Sequence, residues 1–75
     1  MYKLKEEYID LFKEIKTRTY ANYIGCDYGF LSSILNGNKG CKVYIAKAII
    51  GTRFDITIRY IENNELVEKY FIKEK

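Results

Sequence analysis

The chain has 75 residues, 48% hydrophobic and 16% aromatic content, a formal charge of +3, two cysteines and no histidine. That length allows one domain, residues 1–75, with a thin core, and the composition is the opposite of a disordered segment's. Cys/His zinc sites are excluded, and no apolar run approaches the roughly 20 residues that a membrane helix needs.

The opening MYKLKEEYID mixes charges and lacks the apolar region of a signal peptide. A cytoplasmic protein with free thiols at Cys26 and Cys41 is expected, with no membrane partner, metal or cofactor. Leu4, Tyr8, Leu11, Phe12 and Ile15 then fall at helical spacing with Lys and Glu between them, which predicts an amphipathic helix over 4–16.

A second helix is predicted from Thr17 or Thr19 to Ile24. Gly25 supplies the backbone freedom to reverse direction. Asp27 is placed to cap a third helix, Tyr28 to Leu35. The cluster Asn36-Gly37-Asn38-Lys39-Gly40 stops that helix. A fourth is expected from Cys41 to Ile50, with Val43, Ile45, Ala46, Ile49 and Ile50 toward the core and Gly51 at its end. Cys26 occupies an apolar slot, as a small buried hydrophobe would.

The tail changes period. Phe54, Ile56, Ile58 and Tyr60 alternate with Asp55, Thr57, Arg59 and Ile61, a strand signal in β-branched and aromatic residues. With Asn63-Asn64 as the loop, Leu66 to Ile72 pairs back. Arg59 then faces Glu68, Arg53 faces Glu74, Ile61 meets Leu66 and Ile56 meets Phe71. The fold expected is α+β: four helices containing a helix-turn-helix at 17–36, followed by a C-terminal β-hairpin over 53–73. The competing reading is all-α, because Leu66, Val67, Tyr70 and Phe71 also fit a helix capped by Asn63 or Asn64.

Charge is distributed unevenly. Residues 16–53 carry Lys16, Arg18, Lys39, Lys42, Lys47 and Arg53 against Asp27 alone, a net +5, while 1–15 and 54–75 each sum to −1. Positive charge on and beside a two-helix unit is what a phosphate-tracking surface requires. A helix pinned by Phe30, Leu31, Ile34 and Leu35 presents Tyr28, Gly29, Ser32, Ser33 and Asn36 outward. Tyr28, Gly29, Ser32 and Ser33 are the candidate base-facing residues. Thr17, Arg18, Asn36, Lys39 and Lys42 are the candidate phosphate-facing ones. No Arg, Gln or Asn stands in the middle of the stripe, so strong bidentate base contacts are missing.

The stretch TRTYANYIGCDYGFLSSILN, with Ala21, Gly25, Asp27 and the run Leu31-Ser32-Ser33-Ile34-Leu35-Asn36-Gly37, resembles the helix-turn-helix of the small phage repressors, the Cro/C1-type or XRE-like domains. The resemblance covers 4–50 and is specific over 17–36. Gly29 and Phe30 depart from it, since polar residues are common there. It implies that Thr17, Tyr28, Gly29, Ser32 and Ser33 face DNA and that Asn36 and Lys39 lie in a phosphate-facing loop. A C-terminal hairpin looks like the Cro subgroup, whose members dimerise through that segment.

The function expected is therefore a repressor-like, DNA-binding transcription regulator of phage or mobile-element type. It would act on double-stranded DNA as a homodimer, because one short helix reads too few base pairs. An outer apolar patch of Ile61, Leu66 and Tyr70 is the candidate dimer interface. The rival is a small anti-CRISPR-like inhibitor that binds a host protein partner and keeps the motif for autoregulation. No enzyme is expected. The carboxylates Asp10 and Glu14 lie beside lysines, as on a solvated face, and Gly37-Asn38-Lys39-Gly40 lacks the Walker pattern.

Overall fold

The first residues form a strand, not the first turn of a helix. In the computed structural model, which describes residues 1–13, 21–22, 25–56 and 64–74, β1 (Tyr2–Leu4) buries Tyr2 and Leu4 and turns Lys3 outward. That is a period of two. β1 pairs antiparallel with β2 (Phe71–Lys73), Tyr2 opposite Lys73 and Leu4 opposite Phe71. The ladder continues past both ends: the Glu74 N–H donates to the Met1 carbonyl (2.7 Å), and the Lys5 N–H to the Tyr70 carbonyl (3.0 Å). On its other side Tyr2 exchanges two bonds of 2.7 Å with Cys41.

Lys5 is extended (φ −67°, ψ 138°), so helical structure begins only after it. A 3-10 turn over Glu6–Tyr8 leads into α1 (Ile9–Phe12). The helix expected to start at Leu4 therefore starts later, and Leu4 gains a strand partner instead. Ile15 lies outside the described residues. Phe12 is fully buried, Tyr8, Ile9 and Leu11 pack against the core, and Asp10 pairs with Lys13 at 2.8 Å on the exposed face. The Lys13 ammonium bonds the Asp10 carboxyl and holds it below the usual carboxylate range.

Ala21 and Asn22 are helical, and the Ala21 carbonyl accepts from both Gly25 (2.9 Å) and Cys26 (3.0 Å). Gly25 has φ +80°, and open space surrounds the position a Cβ would take. Glycine is needed there for its backbone conformation alone. α2 (Tyr28–Leu35) follows, with the bounds and the cap expected: the Asp27 carboxylate accepts from the Phe30 N–H at 3.2 Å. It closes in a Schellman motif, Asn38 N–H to Ser33 carbonyl and Gly37 N–H to Ile34 carbonyl, both 3.0 Å. At Gly37 (φ +77°) the backbone conformation demands glycine; a Cβ there would also press on Ile9 Cδ1 at 2.9 Å, the movable end of that side chain.

α3 (Val43–Arg53) begins later and ends later than expected. Cys41 is held by Tyr2 rather than helical, and Gly51 is buried inside the helix. The last turn is tied down by Thr52 Oγ1 to the Ala48 carbonyl and Arg53 Nε to the Leu11 carbonyl, each 2.6 Å. The helix stops at Asp55, whose φ is +55°, where the Ile56 N–H reaches the Gly51 carbonyl at 2.6 Å. An L-residue in that conformation is strained by about 1–2 kcal/mol, which glycine avoids. Asp55→Gly is expected to raise stability by about 0.5–1 kcal/mol after the extra entropy of the unfolded chain is counted. A thermal melt should show a rise of a few degrees; a lower melting point would mean that the Asp55 carboxylate itself stabilises the turn.

The C-terminal hairpin is corrected. Glu65–Tyr70 forms α4, entered through Asn64, and only Phe71–Lys73 is extended. Leu66, Val67, Tyr70 and Phe71 are one helical stripe running into the strand, with Val67, Tyr70 and Phe71 buried. Phe71 meets Leu4 rather than Ile56, and Arg53 reaches back to Leu11 rather than to Glu74. Ile58, Arg59, Tyr60 and Ile61 lie outside the described residues. The architecture is thus α+β, with four helices and a two-stranded antiparallel sheet among the described residues.

The core joins both ends of the chain. Phe12 packs edge-on to Phe54 (6.0 Å between ring centres), Tyr70 (5.7 Å) and Phe71 (6.3 Å), and Tyr8 packs on Tyr70 at 4.8 Å. Leu31 and Ile34 of α2 and Ile49 and Ile50 of α3 complete it, all fully buried.

Candidate nucleic-acid interface

α2 buries Leu31, Ile34 and Leu35, which fixes its rotation and leaves the opposite side outward. Tyr28 is 49% exposed, Gly29 and Asn36 are exposed, and Ser32 and Ser33 are half-buried. The structure thus brings the five outward residues of α2 onto one face. Ser33 uses its proton internally: Oγ donates to the Gly29 carbonyl at 3.0 Å. Its hydroxyl can still accept from a ligand.

Past Asn36 the chain turns through Gly37 and presents Lys39, whose ammonium sits 5.2 Å from the centre of the Phe30 ring. An ammonium over an aromatic face at an exposed site gains about 0.5–1 kcal/mol. Because Phe30 belongs to α2, this contact ties the loop's charge to that helix. Lys42 is exposed at the N-cap of α3 and its side chain makes no cap bond. Tyr44, 61% exposed in the first turn of α3, extends this surface. Nothing in the sequence reading singled it out, although Tyr44 and Lys47 stand three apart on the polar side of an otherwise apolar helix.

The remaining candidates fall elsewhere. Thr17, Arg18 and Ile61 lie outside the described residues. Leu66 is half-buried against the core. Tyr70 is only 9% exposed and packs among Tyr8, Phe12 and Phe54, so its place in an outer patch is corrected. Once 65–70 coil into a helix, the ring that a strand would have turned outward points inward.

Neither thiol is poised to react. Burial pushes Cys41 up to about 11, and burial together with the Asp27 charge raises Cys26. Among the described residues no cluster of side chains could hold a metal ion, and no helix is long and apolar enough to cross a membrane. No family model, curated protein or solved structure matches the chain.

Proposed function

We propose that the chain is a repressor-like regulator of phage or mobile-element type that sets α2 into the major groove of duplex DNA and works as a homodimer. The observation that supports this best is the exposed face of α2. Four small or hydroxyl-bearing residues project from a helix locked by its cap and core stripe, and Asn36, Lys39 and Lys42 follow at its end. The Asp27 cap and the Gly25 turn fix how the chain enters α2, and a helix entered through a tight turn is the kind that groove insertion uses. Eight residues of helix read only a few base pairs, and a two-fold pair of them doubles the contacts.

Selection of bound duplexes from a random pool, with particle mass followed by light scattering, tests both parts. One enriched sequence bound by a dimer is expected. Tyr28→Ala should weaken binding to that sequence by on the order of 1 kcal/mol and weaken random duplex less. Ser33→Ala should matter less than Tyr28→Ala, because the Ser33 proton already bonds the Gly29 carbonyl. Circular dichroism establishes that each variant is folded. A folded wild-type protein that enriches no duplex would defeat the reading and favour a protein partner.

A further inference from the structure

We infer that α2 selects its site through thymine methyl groups and duplex shape rather than through paired hydrogen bonds to purines, so that the preferred ligand is a thymine-rich duplex. This rests on the DNA-binding reading above. The first ground is an inventory of donors. Paired readout of guanine uses Arg or Lys, and paired readout of adenine uses Asn or Gln. From Tyr28 to Leu35, α2 carries none of these. Asn36 stands at the far C-terminal end, where its N–H bonds the Ser32 carbonyl at 3.0 Å. The Lys39 ammonium rests over Phe30, and Lys42 belongs to the start of the next helix.

The second ground is shape. Gly29 has no side chain, and Ser32 and Ser33 one helical turn on are short, so this flank of α2 is a low ridge. A backbone can approach the groove floor closely along such a ridge. Gly29 also protects the cap, because a Cβ there would lie 3.1 Å from the Asp27 Oδ2 that accepts from Phe30. With the Ser33 proton spent on the Gly29 carbonyl, the ridge presents carbon, the Ser33 oxygen and the one short hydroxyl of Ser32. Beside it stands the half-exposed ring of Tyr28, an apolar surface of the kind that packs against the 5-methyl of thymine.

The experiment uses the full chain and the duplex it enriches from a random pool, prepared in three forms. One is unmodified, one has deoxyuridine for every thymidine, and one has 7-deazapurines for every guanine and adenine. The uracil duplex should bind about fourfold more weakly for each methyl that is contacted. The 7-deazapurine duplex should stay within about twofold of the parent, since no side chain from Tyr28 to Leu35 can make the paired purine contact that uses N7. In Tyr28→Ala the uracil loss should shrink, which a general change in duplex stiffness would not produce. Uracil binding equal to the parent's, or a loss of about tenfold or more with 7-deazapurines, overturns the inference and leaves DNA binding intact. Failure to enrich any duplex overturns the DNA-binding reading itself.

Discussion

Affinity for duplex DNA is expected to fall by roughly two to three orders of magnitude between about 50 and 200 mM salt. The segment 16–53 carries a net +5, and its described lysines Lys39 and Lys42 are exposed beside α2. A dimer that neutralises roughly four to six phosphates releases that many counterions, for a log–log slope of about −4 to −5. Lys42→Gln removes one contact per protomer, so it should flatten the slope by roughly 2 in the dimer and weaken all sequences alike. Lys39→Gln should do the same and also release Phe30 from its cation. Fluorescence anisotropy titrations at several salt concentrations measure both effects. A slope near zero would remove the phosphate-tracking role from this face.

Truncating Phe12 is expected to be the most damaging single change to the fold. Its ring is fully buried and meets Phe54, Tyr70 and Phe71, so it joins α1 to α4, β2 and the end of α3. Phe12→Ala should cost about 3–5 kcal/mol, transfer and cavity terms together. A domain of this size has only about 4–11 kcal/mol of stability in all, so this one change would remove a large fraction of it. Urea denaturation followed by circular dichroism gives the value. A loss under about 1 kcal/mol would mean that the surrounding rings collapse into the space and that the aromatic cluster is not the centre of the fold. Phe12→Leu, which keeps most of the volume, should be milder.

The same aromatic cluster shows why the tail was ambiguous in the sequence. Phe54, Ile56 and Ile58 alternate as a strand would, and Leu66, Val67, Tyr70 and Phe71 satisfy both a helical stripe and a paired strand. Local pattern does not choose between them. The choice is made by Phe12, more than fifty positions away, which packs edge-on to both Tyr70 and Phe71, and by β1, which supplies β2 with its ladder. Tyr70 consequently moved from a proposed interface to the core. Leu4 was misread for the same reason: its helical spacing with Tyr8 and Leu11 is real, yet pairing with Phe71 holds it extended.

The sequence by itself determined the centre of the molecule. α2 appeared with both of its bounds, its Asp27 cap, its glycine turns on either side and its outward face, because each signal acts within a few residues of the structure it specifies. Only the tertiary structure decided what surrounds that helix. It joined the first strand to the last across nearly the whole chain, carried α3 past Gly51 to a stop at Asp55, and turned the Ser33 hydroxyl inward to the Gly29 carbonyl. These depend on partners distant in sequence or on a side chain's choice between equal hydrogen-bonding options. Neither leaves a periodic trace along the chain, so they are settled only when the core closes.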